Sequence, residues 1–279
     1  MIIWIASYPK SGNTWVRAFL SAYYYSHDGI FNFELLKKIK QFPSKDFLKK
    51  RLNSVDEASD NWLIAQKKIK AENKICFLKT HNVNGAYKGK KFTTSDFTAG
   101  VIYIVRDPRN VLTSLMNHYS LDENGALKMI NSVYRNLKDE NDSNNYSSYS
   151  FISSWANNYN SWKQSKNLNT LLIKYEDLEN DKNNTFEKIL NFTNRLIKEQ
   201  NSIKNDKFKS AIETTNFDIL KKKEEKEGFD EAVYSSKDGK MKSFFNLGNK
   251  NNYKKLLKPE TIKIIEKLFE KEMIELGYL

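Results

Sequence analysis

The chain has 279 residues, of which 39% are hydrophobic and 13% aromatic, and its 46 Lys and Arg against 34 Asp and Glu give a net charge of +12. These values predict one globular domain over residues 1–279 and exclude a disordered chain, and no stretch approaches the roughly 18 consecutive apolar residues of a membrane span. The single cysteine, Cys76, excludes an internal disulfide and a cysteine-based zinc cluster, and it favours a reducing compartment such as the cytoplasm.

Strand-like and helix-like segments alternate along the chain. Short runs of β-branched or aromatic residues predict buried strands at residues 2–6, 75–78, 101–105 and 170–175. Apolar periodicity predicts helices at residues 14–25, 108–119, 185–192 and 259–276. Apolar strands separated by helices indicate a parallel sheet covered on both faces. We therefore expect the α/β class, with a single domain whose central parallel β-sheet is flanked by helices.

The predicted C-terminal helix carries an apolar stripe. It opens at Pro259 and ends at Gly277, which are residues typical of a helix start and a helix end. The positions that share the stripe are Ile262, Ile265, Leu268, Phe269, Met273 and Leu276. A stripe of this kind is typical of a helix that packs on a core.

Two segments interrupt the alternation. Residues 139–150 are polar and of low complexity, and residues 224–250 mix charge, glycine and aromatic side chains without a clear period. We interpret both as loops of the one domain that are mobile when no ligand is bound.

Residues 8–15, Tyr-Pro-Lys-Ser-Gly-Asn-Thr-Trp, connect the first predicted strand to the first helix. The N–H groups of such a turn and the positive end of the helix dipole favour a bound anion such as phosphate, and Lys10 adds a mobile cation. Lys10 precedes Gly12, so the spacing differs from the Walker pattern of ATP-binding and GTP-binding loops. The alternative is a plain turn in which Ser11 or Asn13 caps the helix.

Arg106 directly follows the predicted strand at residues 101–105. Open α/β sheets place ligand groups at such strand ends, and a guanidinium group binds phosphate through two parallel hydrogen bonds. Ser114, two turns along the next helix, adds a hydroxyl donor. The alternative is a local ion pair between Arg106 and Asp107.

Of the three histidines, His81 is the candidate for proton transfer. It closely follows the predicted strand at residues 75–78, and histidine is the side chain best suited to accept a proton near neutral pH. His27 and His118 lie near the ends of predicted helices, and we interpret them as surface or packing residues.

Aromatic side chains near these segments offer stacking surfaces for a purine base. Trp15 and Phe217 are the candidates for a sandwich around the base, and Tyr175 offers a hydroxyl group. Core packing is the alternative for Trp15 and for Tyr175.

Taken together, these segments resemble the sulfotransferases that use 3′-phosphoadenosine 5′-phosphosulfate (PAPS), in their soluble cytosolic and bacterial form. Residues 8–15 resemble the family's 5′-phosphosulfate loop, and residues 77–81 resemble its Lys-Thr-His segment. Residues 104–114 are similar to its 3′-phosphate motif. Residues 173–178 resemble its Tyr-Glu-Asp segment, and residues 215–217 resemble the segment that packs against adenine.

The resemblance implies a P-loop NTPase-like sulfotransferase fold and the transfer of a sulfuryl group from PAPS to an acceptor hydroxyl or amine, which leaves adenosine 3′,5′-bisphosphate (PAP). It implies His81 as the general base and Lys10 and Lys79 as catalytic cations, with no metal. The residues it implies in cofactor binding are Lys10, Ser11, Gly12, Asn13, Thr14, Trp15, Arg106, Ser114, Tyr175, Thr215, Phe217, Asn246, Leu247 and Gly248.

One departure from the family pattern concerns the C-terminal loop. Asn246 and Leu247 stand where the family usually carries Arg-Lys before a glycine, here Gly248. Each charge-assisted phosphate bond lost without replacement weakens nucleotide binding by about 1.5–3 kcal/mol. Lysines nearby in the sequence are candidates for compensation: Lys240, Lys242 and Lys250.

Several alternatives stay open at this point. The positive charge is mostly compatible with a solvated lysine surface, a smaller part suits a nucleotide, and no motif supports a nucleic-acid partner. An ATP-dependent small-molecule kinase is one rival function, and a non-catalytic relative that binds an acceptor without turnover is another. The acceptor is a small molecule or another hydroxyl-bearing compound, and neither its identity nor the oligomeric state can be deduced from the residues.

Overall fold

The predicted apolar runs all form strands, and further short strands accompany them. The structure is a computed structural model that describes residues 1–48, 54–137, 149–199, 202–235 and 239–279. In chain order the strands are β1 (Ile2–Ser7), β2 (Lys40–Gln41), β3 (Cys76–Thr80), β4 (Ala86–Tyr87), β5 (Lys90–Lys91), β6 (Thr98–Val105), β7 (Asn136–Leu137), β8 (Ser150–Phe151), β9 (Thr170–Lys174), β10 (Val233–Ser235) and β11 (Lys240–Lys242).

Helices separate these strands. In chain order they are α1 (Asn13–Tyr25), α2 (Lys45–Leu48), α3 (Val55–Ala71), α4 (Pro108–Tyr119), α5 (Glu123–Asn131), α6 (Trp155–Lys163), α7 (Tyr175–Asn180), α8 (Lys182–Ile197), α9 (Asn205–Thr214), α10 (Phe217–Glu227), α11 (Tyr253–Leu256), α12 (Pro259–Leu268) and α13 (Glu270–Glu275), with 3-10 helices at Phe33–Lys38 and Gly248–Lys250. Within the described ranges, no helix combines the length and apolar character that crossing a bilayer requires.

Within the described residues the main sheet has five strands in the order β2-β3-β1-β6-β9, and each neighbouring pair is parallel. The short strands form antiparallel pairs, β4 with β5, β7 with β8 and β10 with β11. The predicted class is therefore confirmed: this is a single α/β domain with a central parallel sheet flanked by helices.

Both faces of the sheet are covered, as apolar strands require. Side chains alternate along a strand, so Trp4 and Tyr103 face one core and Ile5 and Ile102 face the other. The first core contains several tryptophans, among them Trp162, whose ring centroid lies 6.5 Å from that of Trp4. Because the strands are parallel and in register, the ends of β1, β3 and β6 lie at one edge of the sheet.

The predicted C-terminal helix is wrong in one respect. It divides at Phe269, whose backbone (φ −123°, ψ 22°) is not helical. The Phe269 ring packs against Trp155 with 5.1 Å between centroids, and Leu268 is 42% exposed instead of lying on the buried face. The last helix, α13, ends at Glu275, and Gly277 (φ 69°) follows its capping residue Leu276, which agrees with the prediction that Gly277 marks the helix end.

Two predicted loops have different outcomes. Residues 138–148 lie outside the described residues, so most of the loop predicted at residues 139–150 does too, whereas Ser150 begins β8. The segment at residues 224–250 contains the end of α10, the β10 and β11 hairpin strands and a 3-10 helix.

Candidate active site

A cavity of about 320 Å³ lies at the sheet edge where β1, β3 and β6 end. Parallel α/β sheets place ligands at this edge because the loops that follow the strands converge there. The sequence-predicted residues that line it are Lys10, Gly12, Asn13, Thr14, Trp15, Lys79, His81, Arg106, Ser114, Tyr175, Phe217, Asn246, Leu247 and Gly248.

Two predicted residues, Ser11 and Thr215, do not line the cavity. Ser11 is buried within the loop after β1, and none of the described residues forms a hydrogen bond with its hydroxyl oxygen. Thr215 is fully buried, and its hydroxyl donates to the carbonyl oxygen of Ala211 at 2.6 Å. The Thr215 side chain therefore stabilises the end of α9.

The loop between β1 and α1 has the backbone of an anion cradle. Gly12 (φ 99°) precedes α1, and no side chain caps the start of that helix. A β-carbon at Gly12 would lie 2.6 Å from the Tyr175 ring, so only glycine fits. Asn13 donates from Nδ2 to the Ile5 carbonyl oxygen at 2.9 Å and thereby ties the loop to β1. Trp15 N–H donates to the Gly12 carbonyl oxygen at 3.0 Å, so within the described residues Asn13 and Thr14 are the residues of this uncapped turn whose N–H groups an anion can use.

The Lys10 ammonium group is buried next to an aromatic ring. Its Nζ lies 3.9 Å from the centroid of the Phe244 ring. Burial lowers the pKa of Lys10 to about 7, an effect that the Glu231 carboxylate opposes and the Arg106 guanidinium reinforces. A cation held this way gains from any anion that enters the cradle.

A carboxylate from a distant part of the chain already contacts this region. Glu231 Oε1 lies 2.5 Å from Arg17 Nη1 and 3.2 Å from Lys79 Nζ, and the Thr14 hydroxyl donates to Glu231 Oε2 at 2.9 Å. Burial lowers the pKa of Lys79 to about 8, again opposed by Glu231. The site therefore holds an anion between α1 and the end of β3.

His81 is held in one ring orientation. Its Nδ1 lies 2.8 Å from the carbonyl oxygen of Ser7, and because a carbonyl oxygen only accepts, Nδ1 carries the proton and Nε2 is the acceptor. The His81 carbonyl oxygen in turn accepts from Asn158 Nδ2 at 2.9 Å. Burial, and then the charge of Lys79, lower the pKa of His81 to about 3. The ring is therefore a neutral base at pH 7.

Arg106 is oriented by stacking. Its guanidinium carbon lies 3.9 Å from the centroid of the Tyr175 ring, and its Nη1 donates to the Lys10 carbonyl oxygen at 3.3 Å. The local pair with Asp107 does not form, because Asp107 instead pairs with Arg109, with Nη2 to Oδ2 at 2.7 Å. Arg106 Nε is buried, and in the part of the chain that the structure describes it has no hydrogen-bond partner.

The aromatic side chains form one side of the cavity. Trp15 packs edge-on against Tyr175 and Phe186, with centroids 6.0 Å and 5.9 Å apart. Phe217 lies under Gly248 (φ 54°), where an added β-carbon would approach its ring to 2.5 Å. Trp15 thus contributes to the core and to the cavity wall at once.

The altered loop lies beside a lysine that the sequence argument did not consider. Lys221 on α10 donates from Nζ to the Asn246 carbonyl oxygen at 3.1 Å. Lys250, one of the candidates for compensation, is exposed. His118 lines the cavity, with its ring centroid 6.1 Å from that of Phe244.

Sequence reasoning missed Arg17, Lys221 and Glu231. Arg17 lies three residues after Thr14 on the same side of α1, a spacing that could have indicated it. Glu231 lies in the segment that has no period, and no local signal places its carboxylate in the cavity.

The chain matches a family model in its sequence and solved structures in its fold. A family model described as a sulfotransferase domain matches residues 2–277. No curated protein matches the chain. Among solved structures, mouse sulfotransferase SULT7A1 complexed with PAP is 18% identical with a TM-score of 0.59, covering 98% of this chain and 84% of that one. Retinol dehydratase with androsterone and inactive cofactor PAP is 16% identical with a TM-score of 0.60, and with retinol and PAP it is 17% identical with a TM-score of 0.61. Each retinol dehydratase alignment covers 98% of this chain. The alignments cover 80% of the retinol dehydratase chain in the androsterone complex and 81% in the retinol complex.

Proposed function

Because the chain belongs to the sulfotransferase family, we propose that it transfers a sulfuryl group from PAPS to an acceptor hydroxyl or amine. The observation that carries the proposal is the convergence of the Lys10 loop, Lys79, His81 and Arg106 on one cavity. A cytoplasmic location is part of the same proposal, on the ground of the single cysteine.

The residues present fit PAPS. Buried polar atoms of residues that line the cavity lack partners within the described residues, namely Asn13 Oδ1, Trp15 Nε1 and Arg106 Nε. Such atoms are costly unless a ligand or water satisfies them. Beside the cradle, the Thr14 hydroxyl and Lys79 donate hydrogen bonds to the Glu231 carboxylate, which supports an anion as the ligand of this region. The solved neighbours complexed with PAP add support from the same fold.

Each part of the cavity suits one part of the donor. The Lys10 loop and the first turn of α1 would hold the 5′ end, and Arg106 with Ser114 would hold the 3′-phosphate. Trp15 and Phe217 would contact the adenine ring. When bound, PAPS supplies an activated sulfuryl group to the site.

Proton transfer falls to His81. Its Nδ1 hydrogen bond to Ser7 leaves Nε2 as the acceptor, so the ring can take the proton of the acceptor hydroxyl as that oxygen reacts. Lys10 and Lys79 would stabilise negative charge on the departing and transferred groups. Catalysis of this kind is mostly positioning and preorganised electrostatics.

Because Asn246 and Leu247 stand where the family usually carries Arg-Lys, we expect weaker binding of the 3′-phosphate. We propose Lys221 as the compensating cation, because its Nζ already lies at the Asn246 carbonyl oxygen. Lys221→Gln should then lower PAP affinity by about tenfold. Lys222→Gln, an exposed neighbour, is the matched control.

A small-molecule acceptor is part of the proposal. Tyr119 and Leu137 line the cavity together with His118 and offer a partly apolar wall. The retinol dehydratase structures hold androsterone and retinol, which supports a compact alcohol as the first class to test.

Calorimetric titration with PAP, AMP and ATP tests the proposal. Tight PAP binding that is lost with AMP and with ATP would support 3′-phosphate recognition. Equal binding of all three, or Mg²⁺-dependent binding of ATP alone, would contradict it and favour a kinase. PAP binding without a sulfated product from any acceptor in a panel of alcohols and amines would favour a non-catalytic relative.

A further inference from the structure

Glu231 is buried among cations. Its side chain is 8% exposed, while those of Arg17 and Lys79 are 7% and 5% exposed. Arg17, Lys79 and the Thr14 hydroxyl donate hydrogen bonds to its carboxylate. Burying a carboxylate is costly unless it is paired and hydrogen-bonded, so this arrangement is a fitted anion-binding site and not a surface contact.

The charges around the carboxylate exceed its own. Arg17 and Lys79 contact it directly, and its charge also acts on Lys10. One carboxylate carries a single negative charge, whereas a bound phosphosulfate would bring more than one. The cluster is therefore better matched to the donor than to Glu231.

The carboxylate lies between the phosphate cradle and the proposed base. Thr14 belongs to the first turn of α1, and Lys79 lies two residues before His81. The charge of Glu231 also acts on His81. The Glu231 carboxylate therefore acts both on the loop that would hold the 5′ end of the donor and on the proposed base.

An anchored turn places Glu231. Gly228 (φ 75°) follows the end of α10, and the Ala232 N–H donates to the Phe229 carbonyl oxygen at 2.9 Å. The Phe229 ring packs against Phe33 and Phe244, with centroids 4.8 Å and 5.1 Å apart. Aromatic contacts therefore anchor the turn that carries Glu231.

We propose that Thr14, Arg17 and Lys79 form the subsite for the sulfuryl group of the donor, and that Glu231 occupies it as an internal competitor until the donor displaces it. The inference rests on the proposed function for the identity of the donor. It assigns Arg17 to donor binding and makes the affinity for the donor depend on a carboxylate of the chain itself.

Inorganic sulfate is the probe that isolates this subsite from the nucleotide site. Glu231→Gln keeps the shape of the side chain and removes its charge, so sulfate should bind this variant about tenfold more tightly than the wild-type chain. Glu225→Gln removes the same charge from an exposed position of α10 outside the cavity and should leave sulfate affinity unchanged. Adding Arg17→Gln to Glu231→Gln should abolish the gain. Binding is measured by calorimetry and by sulfate-dependent Tm.

A second experiment compares the affinities of the Glu231 variants for PAPS and for PAP. Glu231→Gln should raise the affinity for PAPS by about tenfold, and by more than the affinity for PAP, which lacks the sulfuryl group. Glu231→Asp shortens the side chain by one methylene group and so moves the carboxylate away from the cations. It should raise the affinities for PAPS and for PAP, as Glu231→Gln does. It is the variant to use if Glu231→Gln does not fold.

The outcomes separate the two proposals. Unchanged affinities of Glu231→Gln for sulfate and PAPS, together with specific PAP binding, would refute the proposal that Glu231 competes with the donor. The proposed sulfotransferase function would not be affected by this result. A sulfate gain in Glu231→Gln without PAP binding would support the anion subsite and contradict PAPS as the donor. An equal gain in Glu225→Gln would show that the effect comes from the net charge of the chain, and it would overturn the inference.

Discussion

At the scale of single residues, His81 is expected to control turnover without controlling donor binding. Replacing it with Ala removes the proton acceptor and should lower kcat by about 10²–10⁴-fold, while PAP affinity stays within about twofold. Burial and Lys79 lower its pKa to about 3, so the ring stays neutral and no loss of activity between pH 8 and pH 5 should arise from it. His27→Ala, distant from the cavity, is the kinetic control. Unchanged turnover in His81→Ala would refute the assignment.

A second residue-scale prediction concerns Lys10. Its pKa of about 7 in the free chain means that part of the population is neutral at pH 8, and a bound anion favours the charged form. Binding of PAP at pH 8 should therefore take up protons, and affinity should fall by up to about tenfold per pH unit above pH 7. Titrations in two buffers of different ionisation enthalpy measure this uptake. Lys10→Arg should reduce it, and identical heats in both buffers would contradict the prediction.

At the scale of elements, the junction between β1 and α1 depends on Gly12. An alanine at this position would have to adopt a left-handed backbone, which costs about 1–2 kcal/mol of folding free energy. Its β-carbon would also lie 2.6 Å from the Tyr175 ring. Gly12→Ala should lower both Tm and PAP affinity, the latter by about tenfold or more. Gly89→Ala has a similar positive φ of 78° with open space around it, so it isolates the backbone strain. Equal effects of the two variants on PAP affinity would contradict the proposed role of the cradle.

At the scale of the whole molecule, Arg109 joins the start of α4 to the C-terminal segment. It binds Asp107, Glu266 at 2.6 Å and the Tyr278 carbonyl oxygen at 2.8 Å. Breaking a buried pair costs about 3–5 kcal/mol, so Arg109→Met should lower Tm by roughly 6–20 °C. Arg195→Met, on the exposed side of α8, should change Tm by less than about 2 °C. A similar Tm for both variants in thermal unfolding would show that the junction contributes little.

The sequence by itself determined four strands of the main sheet, β1, β3, β6 and β9, and the positions of the loops that follow them, whereas the edge strand β2 was not predicted. Continuous apolar runs are local signals. The neighbours of β1, β3 and β6, are predicted at residues 75–78 and 101–105, and the structure has them at Cys76–Thr80 and Thr98–Val105. Because parallel strands end at one edge, the motifs after them had to converge there. Lys10, His81 and Arg106 could be assigned to one cavity for that reason.

Only the tertiary structure decided which charges meet. Asp107 pairs with Arg109 and not with Arg106, because Arg106 is stacked on Tyr175 from another element. Glu231 reaches the cradle from a segment without periodicity, more than 200 positions after Thr14, through a turn anchored by Phe229. Contacts of this kind depend on packing between elements distant in the chain, and no local pattern of residues encodes them.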